Sequence, residues 1–356
     1  MNNKRTAVSN LTLADEKSRW DELPQDHLAE HFMDYISILV VGKSEGNDIS
    51  LIVGIYHIGG KVWGITDGAV QNTVLMITPS NQSTMRNNAF ISNRIDPIKS
   101  YDNFRLVQEP DRVVWEAGNR QIVSRPPYWE IKGENNGVIL DLTVGGLGDA
   151  FPYHGATWAE LPTKGIAGYE QVAWATGTIT AEGKTYTLED GWAVRERSCM
   201  GKGWDLLSLL PASTSDTLST GYFWGWCFAE SIKVFCFAEP DVGHCSGRVF
   251  IGNEMILYGD GEVVAEPLEF WNDPLTKSIL PVCWQVNMKS AGGTVEMVID
   301  LRARAVTGYH LAQGYLILFP AMGRCNGRFV YPDGRSIPIE DAQAYLDRFT
   351  TIPLGP

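Results

Sequence analysis

Apolar and polar residues alternate along most of the chain in runs of about 6 to 10 residues, which is the pattern of half-buried β-strands. Examples are YISILVVG, DISLIVGIYHI and GVILDLTV in the first half, and IKVFCFAE and GRFVYP in the second. Turns rich in Gly, Asn and Asp, such as EGND, AEGK and PDGR, separate these runs. Short strands with short connections favour antiparallel barrels or sandwiches over a parallel βαβ sheet. The pattern therefore predicts an all-β protein.

Helical periodicity is confined to two segments. Residues 12–31 mix charged and apolar residues after Thr12, which is a plausible N-cap. In IEDAQAYLDRF, residues 339–349, apolar residues recur at the three- and four-residue spacing of a helix. We therefore expect few and short helices, with residues 339–349 as the best of them.

A segment rich in Ser and Thr, LLPASTSDTLSTG at residues 209–221, has no apolar period and is the candidate linker. About ten predicted strands precede it and about nine follow it, which suits two closed or nearly closed barrels. We expect an N-terminal β domain over residues 1–208 and a C-terminal β domain over residues 209–356.

One predicted strand, in LEDGWAVRERSCMG at residues 188–201, carries three consecutive charges. Alternation places Trp192 and Glu196 on one face and Arg195 and Arg197 on the other. A carboxylate buried on an apolar face is costly and makes a good general acid or base. The alternative is a cross-strand ion pair at a rim, formed by either arginine and a carboxylate opposite.

The segment that contains this strand carries a family motif. GTITAEG, residues 177–183, fits G-x-[VI]-x-x-[DE]-G, and Arg195, Glu196 and Ser198 fit a following R-[DE]-H-S-W-G. Upstream, LDLTVGGLGDAFPYHG at residues 140–155 is similar to the strand and loop that precede this motif. Over about 60 residues the chain thus resembles the AttH and hydroxyneurosporene synthase (carotenoid 1,2-hydratase) superfamily.

The chain departs from that motif at two positions. Arg197 stands where the family has His, and the family Trp falls near Cys199 or Met200. The resemblance implies two lipocalin-like barrels packed side by side, with a ligand pocket within or between them. It also implies kinship with carotenoid and isoflavonoid hydratases and with fungal cyclases of polyketide and terpenoid precursors. A reaction that needs the family His is not available to this chain in the same form.

The candidate catalytic residues are Glu196, Arg197, His154 and Asp141. His154 lies in the loop GLGDAFPYHGATW and can act as an acid or base near neutral pH. Asp141 lies in the apolar run GVILDLTV and is a possible buried acid. If a bulge shifted the strand, Arg197 instead of Glu196 would enter the pocket and bind a carbonyl or enolate oxygen.

Aromatic residues form the candidate substrate wall. The run GYFWGWCF, residues 221–228, places aromatic side chains on one face, where they either fill a core or line a barrel cavity beside Glu196. Trp284 comes from a later strand and is expected to face the same cavity. The candidate substrate-binding residues are Tyr169, Trp174, Trp192, Tyr222, Trp224, Trp226 and Trp284.

The composition of the chain limits the classes of partner that it can bind. The net charge is -13 and there is no basic run, which argues against nucleic acid and anionic membranes. The chain contains 12 Trp, 13 Tyr and 13 Phe, which suit a pocket for an apolar small molecule. No nucleotide-binding, HExxH or GxSxG motif occurs, and the histidines are scattered, so we expect no cofactor and no metal.

The six cysteines form no CxxC pair and several lie in apolar runs, so we expect reduced thiols. The N-terminus has no apolar signal region, and no apolar run reaches the roughly 18 residues that span a bilayer. These features predict a cytoplasmic protein without membrane insertion.

Three functions remain open. The first is a cofactor-independent cyclase or isomerase that shapes an apolar polyketide or terpenoid precursor. The second is a hydratase that adds water to an alkene of a terpenoid or isoprenoid. The third is a non-catalytic carrier of lipids or terpenoids. Because Arg197 replaces the family His, the sequence favours the cyclase over the hydratase. An enzyme is favoured over a carrier, since a carrier needs no buried acid.

Overall fold

The computed structural model describes residues 5–60, 65–82, 85, 92–98, 104–135, 137–152, 154–201, 223–239, 244–274, 276–311 and 314–353. The chain packs as two compact units. The first unit consists of Met1–Leu75, Ser92–Leu206 and His310–Gln313. The second unit consists of Met76–Ile91, Leu207–Tyr309 and Gly314–Pro356. The division into domains 1–208 and 209–356 remains a prediction.

The helices are short and lie mainly in the first unit. They are α1 (Leu13–Glu16), α2 (Gln25–Glu30) and α3 (Leu161–Lys164), with single 3₁₀ turns at Trp20–Glu22 and Trp158–Glu160. Thr12 precedes α1 as predicted. Its backbone amide and its hydroxyl donate hydrogen bonds to the Asp15 carboxylate, at 2.8 Å and 2.9 Å. The segment 12–31, which has a helical pattern, thus forms three short elements, namely α1, the 3₁₀ turn at Trp20–Glu22 and α2.

The first sheet is antiparallel and has eleven strands among the described residues. They are β1 (Phe32–Ser44), β2 (Asn47–Gly60), β3 (Ile65–Pro79), β4 (Ser92–Ile98), β5 (Phe104–Gln108), β6 (Val113–Ala117), β7 (Arg120–Arg125), β8 (Tyr128–Asn135), β9 (Val138–Gly146), β10 (Ile166–Ala181) and β11 (Lys184–Met200). Their order is β4-β3-β2-β1-β11-β10-β9-β8-β7-β6-β5. Every neighbour is consecutive in sequence except β1 and β11, which join the two halves of the sheet.

Two tight turns set the register of the β1–β2 and β10–β11 strand pairs. Glu45 and Gly46 have φ angles of 48° and 75° between β1 and β2, and Glu182 and Gly183 have 51° and 76° between β10 and β11. Two consecutive positive φ angles are typical of the type I′ turn, whose twist matches that of the flanking strands. These turns fix which residues lie opposite one another in the β1–β2 pair and in the β10–β11 pair.

The sheet is strongly curled. The guanidinium of Arg197 on β11 lies 4.7 Å from the ring centre of Trp115 on β6, although four strands separate β6 from β11 in the sheet. The concave side therefore forms an interior, and Trp115 and Trp129 are fully buried there. Such curling is typical of barrel-like sheets.

The second sheet is also antiparallel, in the order β15-β14-β13-β12-β22-β21-β18-β17-β16, with β19 and β20 off this path. Its strands are β12 (Phe223–Phe228), β13 (Lys233–Glu239), β14 (His244–Ile251), β15 (Glu254–Tyr258), β16 (Val263–Asn272), β17 (Ile279–Ser290), β18 (Gly293–Arg304), β19 (Thr307–Leu311), β20 (Gly314–Leu318), β21 (Ala321–Val330) and β22 (Ser336–Pro353). The prediction of an all-β antiparallel fold with few short helices is confirmed.

The predicted helix at residues 339–349 is wrong, because this segment lies within β22. Ile339 and Ala342 pair with residues only two apart on β21, so a β-bulge inserts one extra residue here. Asp341, inside the bulge, has a φ of 43°. The bulge directs both Ile339 and Ala342 into the core although they are three residues apart. Their spacing therefore resembled that of a helix.

Candidate functional site

Strand β11 presents two chemically different faces. We call the side that carries Trp192, Val194, Glu196 and Ser198 the Glu196 face, and the side that carries Ala193, Arg195, Arg197 and Cys199 the arginine face. The ladders with β1 and β10 run without a bulge through these residues, so the alternation predicted from the sequence is confirmed. No bulge exchanges the two faces over residues 192–200, because the irregularity of the β10–β11 ladder lies earlier in β11, at residues 188–191.

Glu196 is half-buried and is held by two hydroxyl groups of the neighbouring strand β1. The Tyr35 hydroxyl donates a hydrogen bond to Glu196 Oε1, and the Ser37 hydroxyl donates to Oε2 at 2.7 Å. Ser37 lies directly opposite Glu196 in the ladder. The carboxylate therefore has a fixed orientation, and both of its oxygens act as acceptors.

His154 joins the same face from the loop after β9. Its Nε2 lies 2.9 Å from Ser198 Oγ, and the Ser198 hydroxyl donates to the Ala167 carbonyl at 3.1 Å. Because a hydroxyl has one proton, Ser198 accepts from His154, which assigns the imidazole proton to Nε2. Tyr35 lies opposite Ser198 in the ladder, so His154, Ser198, Tyr35 and Glu196 are contiguous.

Two further side chains extend this arrangement. Glu170, fully buried, lies opposite Glu196 on β10. The Tyr56 ring stacks on Tyr35 with ring centres 4.8 Å apart. A Cβ atom at Gly54 would lie 2.5 Å from the Tyr56 ring, so only glycine lets this ring lie along the sheet. We call Tyr35, Ser37, His154, Glu170, Glu196 and Ser198 the Glu196 cluster.

The arginine face is a buried ion-pair network. Arg195 Nη2 lies 2.5 Å from Glu16 Oε1, and Arg197 Nη1 lies 2.5 Å from Asp34 Oδ1, with all four side chains fully buried. Burial lowers the pKa of Arg195, and the charge of Glu16 opposes this effect. Both arginines thus bind a carboxylate, as predicted. The pairs lie in the interior and not at a rim.

Aromatic rings enclose the Arg197 guanidinium. Its central carbon lies 4.7 Å from the Trp115 ring centre and 5.4 Å from that of Trp158. Tyr169 lies opposite Arg197 on β10, with its ring 5.6 Å from Trp158, and burial raises the pKa of Tyr169. Arg197 and Tyr169 are therefore on the opposite side of the sheet from Glu196.

The tryptophans predicted from the first half of the chain lie on the Glu196 face. Trp174 is directly opposite Trp192 across the β10–β11 ladder. Trp192 is buried, and the guanidinium of Arg5 lies 3.6 Å above its ring. The sheet therefore brings Glu196, His154, Trp192 and Trp174 to one face.

Asp141 is exposed on β9, opposite Lys132 and Thr178, so its interpretation as a buried acid is wrong. The run GVILDLTV contains apolar residues on both faces, but Asp141 takes an outward position between the buried Leu140 and Leu142.

In the second unit, Trp224 and Trp226 are buried on one face of β12, where Phe235 lies 4.9 Å from Trp226. Trp284 instead packs on Phe223, from the other face of β12, at 4.9 Å within the apolar core. The expectation that Trp284 shares a cavity with these two tryptophans is wrong, because successive residues of β12 face opposite ways. Tyr222 lies outside the described residues. A contribution of residues 222–228 to the Glu196 site stays a prediction.

A cavity of about 710 Å³ lies in the first unit and does not include Glu196. Its lining residues are Ala14, Lys17, Ser18, Arg19, Trp20, Asp21, Glu22, His57, Phe104, Arg105, Leu106 and Gln108. His57 lies opposite Asp34, which places the cavity on the arginine side of the sheet.

Sequence reasoning missed the partners of the charged strand, namely Tyr35, Ser37, Asp34 and Glu16. Three of them are in FMDYISILVV, where Asp34, Tyr35 and Ser37 are the polar positions of an otherwise apolar strand. The contrast between these polar residues and their apolar neighbours was the signal that could have identified them as partners. No such signal marked Glu16, because it precedes Arg195 by 179 residues.

Within the part of the chain that the structure describes, no three His, Cys, Asp or Glu side chains lie close enough to hold a metal ion. No helix of that part is long and apolar enough to cross a bilayer. No disulfide joins the six cysteines, all of which are among the described residues.

Comparison with known proteins shows likeness in structure only. No family model matches the sequence, and no curated protein matches it. A Nitrosomonas europaea protein assigned to AttH superposes with a TM-score of 0.59 at 10% identity, over 96% of this chain and 99% of that one. CghA in complex with Sch210972 gives 0.59 at 11% identity, over 92% and 90%. CghA alone gives 0.58 at 11% identity, over the same shares. This chain has the double lipocalin-like fold of these AttH and CghA structures, and the resemblance seen in the sequence is confirmed at the level of the fold.

Proposed function

We propose that this chain is a cofactor-independent cyclase or isomerase of natural-product metabolism, and that an apolar polyketide or terpenoid precursor reacts at the Glu196 cluster. The observation that carries the proposal is the half-buried Glu196 carboxylate, oriented by the hydroxyls of Tyr35 and Ser37 and adjoining Ser198 and His154. The fold likeness to CghA in complex with Sch210972 supports a small organic molecule as the substrate class.

Cyclisation of a flexible precursor needs a reactive conformer and a polarised reacting group. Trp174 and Trp192 lie along the Glu196 face and would contact the apolar chain of the substrate. Glu196 would accept a proton or a hydrogen bond from a substrate hydroxyl or an acidic C–H group. His154 would supply or take up a proton beside it.

The hydrogen bonds favour this reaction over hydration. Hydration of an alkene begins with protonation, so the acid must carry a proton and direct it at the substrate. In the structure both hydroxyls donate to Glu196, so its oxygens are acceptors. That arrangement suits a base. Arg197, at the position of the family His, lies on the opposite face in an ion pair with Asp34.

The test is turnover of linear polyene precursors that carry a carbonyl group, followed by liquid chromatography and mass spectrometry, so that an isomeric product is separated from the precursor. A cyclase or isomerase gives a product of unchanged mass, and a hydratase gives a product heavier by one water. Glu196→Gln should lower product formation by tenfold or more, on the order of 1.4 kcal/mol in the barrier.

The matched control is Glu189→Gln, which makes the same change at an exposed position of the same strand and should keep full activity. Retention of full activity by Glu196→Gln would refute the proposed role. A wild-type protein that binds these precursors and returns them unchanged would indicate a carrier.

A further inference from the structure

The loop after β9, which carries His154, is bound on one side by residues 8–10, which we call the N-terminal segment. The Val8 amide donates to the Gly146 carbonyl at 2.9 Å, and the Val8 carbonyl accepts from the Gly148 amide at 3.1 Å. A Cβ atom at Gly146 would lie 2.7 Å from the Val8 carbonyl oxygen, so this approach requires glycine. The N-terminal segment therefore pairs with the chain just where β9 ends.

Asn10 makes the next contact of this segment, closer to His154 along the chain. Its Oδ1 accepts a hydrogen bond from the Ala150 amide at 2.9 Å, and Ala150 is four residues before His154. The Asn10 side chain is exposed, so its replacement removes little buried apolar surface. The main structural effect of a substitution at Asn10 is therefore on the hydrogen bond to Ala150.

The N-terminal segment can hold the loop because buried groups hold the segment itself. Gln171 is fully buried on β10, and its amide nitrogen donates to Ser9 Oγ at 2.9 Å and also to the Gly148 carbonyl. Further along the chain, Glu16 is fixed by the buried ion pair with Arg195. Asn10 lies between these two points of attachment, so its side chain is presented to the loop from a fixed backbone.

Strand β10 binds the same loop one residue later. Phe151 and Glu170 exchange two backbone hydrogen bonds, at 2.8 Å and 2.9 Å. Glu170 lies opposite Glu196 in the ladder, so this bridge brings the loop beside the Glu196 cluster. The successive amides of Ala150 and Phe151 thus bind two different elements, which restricts rotation of the loop about either one.

We propose that Asn10 is a positioning residue, which through Ala150 holds the loop so that His154 Nε2 lies 2.9 Å from Ser198 Oγ. A reacting group has to stay within about 0.5 Å of its productive position, which a loop held at a single point does not ensure. The effect on turnover rests on the proposed function of the Glu196 cluster. The effect on the imidazole of His154 does not depend on any reaction.

Three variants of the full chain test this role. Asn10→Ala removes the acceptor, and Asn10→Asp keeps it, because a carboxylate oxygen also accepts from the Ala150 amide. The matched control is Asn326→Ala in the second unit. Asn326 is exposed as well, and its Oδ1 accepts from the Asp341 amide at the same distance of 2.9 Å. Both alanine variants therefore lose the same kind of hydrogen bond, but only Asn10→Ala loses it at the loop of His154.

Nitrogen NMR of the imidazoles reports the position of His154, whose signals are those that His154→Gln removes. In the wild type, Asn10→Asp and Asn326→Ala, the neutral ring should carry its proton on Nε2, which donates to Ser198. In Asn10→Ala this bond should weaken, and the signals should shift towards those of histidine in water, which exchanges between two tautomers. Unchanged signals in a folded Asn10→Ala protein would overturn the proposal. An equal shift in Asn326→Ala, or no recovery in Asn10→Asp, would also overturn it.

Turnover of the polyene precursors gives the second measurement. Asn10→Ala should lower it by about three- to tenfold, which is the factor that corresponds to one hydrogen bond, and Asn10→Asp and Asn326→Ala should match the wild type. If the His154 signals shift in Asn10→Ala while turnover stays at the wild-type level, the positioning role is supported and a part for His154 in the reaction is refuted. Failure of the proposed function is thus distinguishable from failure of this inference.

Discussion

Both faces of β11 carry charged residues, but the charged residues of the two faces have different partners. On the arginine face, Arg195 and Arg197 are fully buried and each meets a buried carboxylate. On the Glu196 face, one half-buried carboxylate is held by two neutral hydroxyl groups. Charges within a strand are therefore no sign of chemistry by themselves. Burial and the charge of the partner distinguish an anchor from a candidate reactive group.

The difference has an energetic basis. Removal of one partner from a buried ion pair leaves an uncompensated charge, at a cost of about 3–5 kcal/mol. Loss of one hydrogen bond to a charged group that solvent can reach costs less, about 1.5–3 kcal/mol. We therefore expect substitutions on the arginine face to change stability first and those on the Glu196 face to change activity first.

The largest effect is expected for Arg195→Met, which strands the buried Glu16. We expect the free energy of unfolding in denaturant to fall by about 3–5 kcal/mol. The double variant Glu16→Leu/Arg195→Met removes both charges and should recover most of this loss. Ser124, which donates to Glu16 at 2.9 Å, loses its acceptor in the double variant, so recovery should be incomplete. A single variant as stable as wild type would contradict the anchoring role.

Arg197→Lys keeps the charge beside Asp34 and changes only the shape of the donor. The guanidinium donates to the carbonyls of Tyr35 (3.0 Å), Ser198 (2.8 Å) and Lys17 (2.6 Å). A single ammonium cannot reach all three and Asp34, so we expect a loss of about 2 kcal/mol in denaturant unfolding. Wild-type stability of this variant would show that these three hydrogen bonds do not anchor the strand.

The alternation of β11 was predictable because the spacing of two is a local property of a strand. Trp192 and Glu196 do share a face, and Arg195 and Arg197 do lie on the other. The partners were not predictable, since Tyr35 precedes Glu196 by 161 residues and only the sheet order brings them together. Local spacing also misled at Ile339 and Ala342, where a bulge in β22 produced helical spacing in a strand.

On the Glu196 face, Tyr35→Phe removes one donor to Glu196 and keeps the ring that stacks on Tyr56. We expect a loss of about 1.5 kcal/mol in stability, at the lower end of the range for a hydrogen bond to a charged group because Glu196 is only half-buried. The fall in turnover should correspond to more than this in activation free energy. Tyr128→Phe is the control, because Tyr128 is 45% exposed and should tolerate the change in both assays. Lower stability with unchanged turnover would show that Tyr35, like Arg195 and Arg197, stabilises the fold and takes no part in the reaction.

The smallest effect concerns the turn that follows His154. The Glu160 carboxylate accepts from Lys164 at 2.7 Å and from the Thr157 amide and hydroxyl at 3.0 Å, and these contacts lower the pKa of Glu160 to about 2. A depressed pKa in the folded state means a stabilising contribution that is present above the unfolded pKa of about 4.5 and is lost as the pH falls towards 2.

Carboxyl NMR of the folded protein should therefore give a Glu160 midpoint near 2. Lys164→Met should raise that midpoint, because the Lys164 hydrogen bond is the largest cause of the shift. The contribution to stability is expected to be small, since Glu160 and Lys164 are exposed and solvent screens their attraction. If the midpoint lay at the ordinary value for glutamate, this turn would not be held by Glu160.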